Sequence, residues 1–480
     1  MGKQEKAQAV NTAPTMTKQE AREKLESMPP LPLKQKVGFT FDGLANVWMM
    51  TIPMFLMTFA TESLSIAVGV VGITMMLVKV LDAFTDFFAG IMIDHTKSKA
   101  GKARPWLLWI AAPYAITLAA VFYIPESANM MVKIVLLAIL YALSISVFGT
   151  IISVARMVLM TRMTDKPAER GQLGVLNDGI SSILCGLLMS LTNVWALRFG
   201  YAKVFTVYGI IAFVACLIAY ALCRENVGPL LDVLSGQEKK SATMKDLFKA
   251  LFTNKYSLAL LIYIILLNLA NTIIQTGGIY YATNVLGDQV LYSKFMIFMV
   301  IGSVIGFVVA TPLVHKIGSR NIFLLGSIMA ACAAAVMFFS GGRSFAVICI
   351  CIMVVAIGGI TFTTTQIMAM TGDCVDYGEW KTGTRAEGVI SSVSSIGVKI
   401  GGALGSAVLS GVMVIGGYVS GAETQTASAV SAINFAFTGM PMIMYIAIAV
   451  IYAITWRMEG QREQMRKETM ERRMENKDRW

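Results

Sequence analysis

Apolar runs of 18 to 29 residues alternate with short polar patches along most of the chain. A helix rises about 1.5 Å per residue, so runs of this length match a hydrocarbon layer about 30 Å thick. Twelve spans are predicted, over roughly 39–60, 66–93, 105–123, 133–160, 173–195, 202–222, 256–282, 290–314, 321–340, 344–371, 389–416 and 432–456. An even count puts both ends of the chain on one side. The basic residues then choose the side: 32 of the 40 Lys and Arg fall in the tails and the loops of one face. The other face holds five, Lys133, Arg198, Lys203, Lys294 and Arg343. Positive loops stay in the cytosol. The pattern therefore predicts an all-α membrane protein of twelve transmembrane helices in two six-helix halves, with both termini cytosolic.

The polar stretches divide the chain further. Residues 1–36 form a polar tail without the apolar core of a secretory signal, ended by Pro29, Pro30 and Pro32. Residues 37–223 carry the first six spans and 224–255 a cytosolic linker with an amphipathic piece, Met244 to Phe252. Residues 256–457 carry the other six spans and 458–480 a basic tail.

Composition narrows the function classes. Hydrophobic residues make up 56% of the 480 positions and charged ones only 14%, where a soluble protein has about 25%. The net charge of +11 belongs to loops on one membrane face and implies no nucleic acid. The seven cysteines lie within or at the edges of apolar runs without zinc-like spacing, and the two histidines, His95 and His315, sit at helix ends. Neither a phosphate-binding Gly-x-x-x-x-Gly-Lys-Ser/Thr loop nor a nucleophile motif is present, so no cofactor is expected and neither an ATP-driven pump nor an enzyme is implied.

Against that background, the second span is anomalous. Lys79, Asp82, Asp86 and Gly90 recur every three or four residues and so share one helix face. A carboxylate at the bilayer centre costs about 2.5–3.5 kcal/mol, and two a turn apart also repel. A cation or proton offsets that cost. Lys399, near the middle of the eleventh span, needs an acidic partner at that depth, and Asp82 or Asp86 can supply it across the two halves. This reading makes Asp82 and Asp86 a cation or proton site and Lys79 and Lys399 its coupling charges. A second polar set lies on other spans: Asn46 and Trp48 on the first, Asn177 and Asp178 on the fifth, Asn268, Asn271, Thr272 and Gln275 on the seventh, and Gln366 on the tenth. Polar stripes on membrane helices face protein or water, so these are the candidate substrate positions.

Several stretches together resemble the glycoside–pentoside–hexuronide:cation symporter family of the major facilitator superfamily, the melibiose permease-like proteins. They are Lys79-Val-Leu-Asp82-Ala-Phe-Thr-Asp86, Lys99-Ala-Gly-Lys-Ala-Arg-Pro-Trp106, Asp373-Cys-Val-Asp376-Tyr-Gly-Glu-Trp-Lys381 and Val398-Lys399-Ile-Gly-Gly402. Short basic, Gly-containing loops after the second and eighth spans suggest a structural repeat. The resemblance implies that Asp82 and Asp86 ligate the coupling ion and that Thr150 adds a hydroxyl. Where the family pattern has a further carboxylate this chain has Ser153, and Thr85 replaces an Asn. The galactoside-binding pattern is not kept at Asn46, Val47, Ser153, Met157 and Asp178.

The expected function is a secondary symporter, driven by Na+ or H+, that imports a glycoside, pentoside or uronide by alternating access as a monomer in a bacterial plasma membrane. The alternatives are a non-sugar solute on the same fold, or a transporter-like sensor. If the ion is sodium, Asp82 and Asp86 are its metal ligands. Mixed-charge loops, Arg162 to Arg170 and Asp373 to Glu387, are candidates to pair across the cytosolic mouth.

Overall fold

A computed structural model describes residues 20, 23–25, 27–98, 100–164, 166–228, 230, 254–341, 344–382, 387–422, 424–456, 465 and 468. Most of the tails and the linker's amphipathic piece lie outside the described residues, as do the side chains of Asn46 and Asp178.

The described elements are all helical. In chain order they are α1 (Leu33–Ser63), α2 (Val68–Asp94), α3 (Arg104–Trp109 continued by Ala111–Ala120), α4 (Met130–Met163), α5 (Pro167–Phe199), α6 (Tyr201–Leu222) and α7 (Lys255–Asn284). The helical run Leu291–Ser340 turns at Gly318 (φ 80°, ψ 159°), which divides it into α8 and α9. Then come α10 (Phe345–Lys381), α11 (Glu387–Ile415) and α12 (Ala427–Thr455). Ten helices among the described residues are long and apolar enough to cross a membrane. The two remaining expected spans fall on α3 and α5, whose apolar stretches, Ala111–Tyr123 and Ile183–Phe199, are shorter.

Helix ends follow local chemistry. Pro105 and Pro167 occupy first turns, where a missing N–H costs nothing. Asn254 caps α7 by accepting from the N–H groups of Tyr256 and Ser257. The α2–α3 loop turns at Gly101 (φ 112°) and the α8–α9 join at Gly318, both in the left-handed region that favours glycine. The α2–α3 and α8–α9 joins thus use the same device. Beyond Gly101 the N–H groups of Lys102, Ala103 and Arg104 donate to Glu225, which also takes Arg162 Nε at 2.5 Å. This ties the segment after α6 to the α2–α3 loop, the start of α3 and the end of α4.

Among the described residues four π-helical segments interrupt or end the α-helices, among them Ala142–Gly149 in α4 and Ala356–Phe362 in α10. A π turn inserts an extra residue and rotates the helix beyond it, and such turns gather at functional sites.

Packing brings the two parts of the chain together along α2 against α11 and α5 against α8. The outer face of α2 is apolar and exposed, with Ile73, Leu77, Phe84 and Phe88 pointing away from the bundle, as lipid contact requires. The described hydrogen bonds between the two parts gather from mid-helix to the end of the bundle remote from Leu33. There Thr61 meets Tyr280 at 2.8 Å, Tyr418 donates to Glu62, and Asn193 Nδ2 donates to the Gln289 carbonyl at 2.8 Å. Ser190 Oγ donates to the Ser293 carbonyl at 2.9 Å.

Candidate cation-coupling site

The charged stripe of α2 faces α4 on one side and α11 on the other. Asp82 is buried and accepts a 2.5 Å hydrogen bond from Thr150 Oγ1. Thr150 is the first residue after the π segment of α4, and the same segment places Ser146 Oγ 2.8 Å from the Val78 carbonyl. Lys399 Nζ comes from α11, lying 3.1 Å from Asp82 Oδ2 and 2.9 Å from the Asp82 carbonyl, and it pairs with Asp86. The ammonium thus sits where two carboxylates and a carbonyl converge. Glycines on α2 permit this approach: a Cβ on Gly72 would lie 1.8 Å from Ser410 Oγ, and one on Gly69 3.1 Å from Val414 Cγ2.

Other sequence candidates take distinct places. Thr85 Oγ1 is turned back onto the Asp82 carbonyl at 3.1 Å. Lys79 is half-buried one turn away, with Asp82, Asp86 and Lys399 as its charged neighbours. Ser153 is half-buried one turn beyond Thr150. Trp48 is buried and stacked on Tyr208, centroids 4.3 Å apart, with its indole N–H lacking a partner. Asn177 is buried against Gly43. On α7, Asn268 bonds the Ile264 carbonyl and abuts Gly401, Thr272 abuts Gly405, and Asn271 keeps a buried Oδ1 without a partner. The Gln275 carbonyl accepts from the Tyr292 hydroxyl at 3.0 Å. Gln366 accepts from Ser319. The structure therefore joins Asp82, Asp86, Thr85, Thr150 and Lys399 in one cluster, while the contacts described for Trp48, Asn177 and the polar positions of α7 and α10 lie outside it. Contacts described for Arg162, Glu169 and Arg170 lie within the first six helices and the segments flanking them, to Glu225, Thr164 and Thr161.

Two groups near this cluster are not marked by the sequence pattern. Tyr141 Oη and Ser144 Oγ on α4 are buried without partners, and Tyr141 has Asp82 as its charged neighbour. An isolated Tyr or Ser in an apolar span is too common to signal a site. Among the described residues no group of three or more His, Cys, Asp or Glu is placed to hold a metal; beside its two carboxylates the cluster brings together a hydroxyl, a backbone carbonyl and an ammonium.

A family model described as MFS/sugar transport protein matches residues 42–456. The chain belongs to the glycoside–pentoside–hexuronide:cation symporter family. The isoprimeverose transporter of Lactiplantibacillus pentosus is 28% identical over 436 residues, covering 88% of this chain and 88% of that protein. The glucuronide carrier protein homolog of Escherichia coli (strain K12) is 26% identical over 426 residues, covering 87% and 91%. Among solved structures, the nucleoside transporter NupG superposes with a TM-score of 0.59 at 15% identity, covering 88% of this chain and 98% of that one, which shows a shared fold. This symporter is a multi-pass membrane protein that couples a sugar-type solute to a cation, and it is a transporter rather than an enzyme.

Proposed function

We propose that the symporter imports a glycoside, pentoside or uronide together with sodium, and that Asp82, Asp86 and Thr150 ligate the ion. One observation carries this reading: the chain's own cation, Lys399, occupies the meeting point of Asp82 and Asp86, with Thr150 alongside. The donors around that point are oxygens, which suit a hard ion. Sodium would displace the ammonium, and release of Lys399 would free α11 from α2. The solute would lie among the polar positions of α1, α5, α7 and α10, Asn46, Trp48, Asn177, Asp178, Asn268, Asn271, Thr272, Gln275 and Gln366. Buried Asn271 Oδ1 and Trp48 Nε1 lack protein partners, and sugar hydroxyls would satisfy both.

Twelve spans with both termini in the cytosol complete the topology, supported by the apolar stretches of α3 and α5 and by the basic bias of one face. In that orientation the hydrogen-bonded end of the bundle faces outward. The transporter works as a monomer whose six-helix halves rock about the α2–α11 and α5–α8 contacts. A membrane potential of 100 mV adds about 2.3 kcal/mol per charge, roughly fifty-fold accumulation. A proton in place of sodium is the second reading, favoured by Ser153, which leaves the site one carboxylate poorer than the family pattern.

Proteoliposomes offered radiolabelled isoprimeverose, or a labelled glucuronide, under an inward sodium gradient test the proposal. Accumulation that collapses when the gradient is dissipated is expected. Accumulation under a proton gradient alone selects the second reading, and uptake indifferent to both gradients overturns the account.

A further inference from the structure

A second acid lies in α1, away from the Asp82 cluster. Asp42 is completely buried, and neither carboxylate oxygen has a hydrogen-bond partner. Burying an ionised carboxylate without a single donor is so unfavourable that such a group takes up a proton instead. Packing alone gives no reason for an acid here, since an apolar residue of the same size would fill the space at lower cost.

Its surroundings supply one charge. Arg156 on α4 is the charged group facing it, and among the described residues this half-buried guanidinium makes no hydrogen bond or ion pair. From α6 the thiols of Cys216 and Cys223 face the acid. The hydroxyl of Tyr114 on α3 is committed to the Ala45 carbonyl at 3.3 Å. On α5 the uncharged Asn177 and Ser181 lie against the adjacent Gly43. Among the described residues α2 and α7 bring no charged group to Asp42. An acid and an unpaired base therefore sit near each other on two helices without touching.

We propose that Asp42 is a proton-binding site separate from the Asp82–Asp86–Lys399 cluster, protonated in the conformation described and ionised when it pairs with Arg156. In the step the Asp42 O–H bond breaks, the proton passes to solvent water, and the carboxylate left behind takes the guanidinium as counter-ion. Movement of α1 against α4 is what brings them together. The site thus makes transport respond to pH whichever cation the Asp82 cluster carries, so its failure is distinct from failure of the sodium reading.

Infrared difference spectroscopy on the purified full-length protein in lipid tests the assignment without any solute. A carboxylic-acid C=O band that shifts in heavy water and disappears as pH is raised is expected in the wild type and lost in Asp42→Asn. Should that variant fold poorly, Arg156→Gln serves: without its counter-ion the acid keeps its band to higher pH. A band unchanged by both substitutions, or an Asp42 band that persists at every pH, overturns the proposal. Sodium-driven uptake measured on the same preparations reports separately on the cation site.

Discussion

Replacing Lys399 with Ala removes the cation that holds α2 to α11. Its side chain is 19% exposed, those of Asp82 and Asp86 are 6% and 39% exposed, and the two contacts carry different weights. The bond to buried Asp82 is charge-assisted and contributes about 1.5–3 kcal/mol. The pair with Asp86 is partly screened by water and adds about 0–1 kcal/mol. Together they place the Lys399 contribution at about 1.5–4 kcal/mol. If sodium must displace this ammonium, its removal tightens sodium binding by that amount, about ten-fold to several-hundred-fold at 1.4 kcal/mol per factor of ten. The same change severs the link between ion and helix position. Lys399→Ala therefore binds sodium more tightly, still exchanges labelled solute across the membrane, and no longer accumulates it against a gradient. Sodium-dependent thermal shift measures the first effect, and counterflow against gradient-driven uptake in proteoliposomes separates the other two. Unchanged sodium affinity together with unchanged accumulation would refute the reasoning.

The geometry makes three further outcomes testable. Thr150→Ala deletes the 2.5 Å bond to Asp82 and, at about 1.5–3 kcal/mol for a bond to a charged group, weakens sodium binding at least ten-fold in the thermal-shift titration, while Thr150→Ser restores most of it. Gly401→Ala places a methyl 2.6 Å from the Ile265 carbonyl; forcing α7 from α11 costs about 1–3 kcal/mol, read as a lower melting temperature. Tyr418→Phe with Tyr280→Phe removes the hydroxyls that bond Glu62 and Thr61. At about 0.5–1.5 kcal/mol each the double change shifts the population toward opening at that end, seen as faster labelling of a cysteine placed at Ser65.

The sequence carried much of this architecture because lipid and backbone leave few choices. Every run that must satisfy its own hydrogen bonds in hydrocarbon becomes a helix, so α1, α2, α4, α6 and α7 appear where the apolar runs lie. Helix ends are less legible: α5 begins at Pro167, ahead of its apolar run, because Glu169 and Arg170 sit in a first turn bonded to Thr164. The meeting of Lys399 with Asp82 and Asp86 is legible for a related reason, since a deep lysine has few other partners in a chain so poor in charge. Invisible to periodicity is the π segment Ala142–Gly149, whose residues would fit an α-helix equally well. Contacts between distant residues are also hidden. Glu62 reads as the end of a span, and only the folded chain shows Tyr418 donating to it. Arg156 sits within the fourth span, and its neighbour Asp42 emerges only from packing.

The central claim is that Asp82 and Asp86 form the ion site of this symporter. The most direct test is equilibrium binding of radioactive sodium to purified wild type, Asp82→Asn and Asp86→Asn in detergent, with folding checked by thermal melting. Saturable binding to the wild type, lost in both folded variants, is the predicted result. Equal sodium binding by all three proteins would contradict the claim.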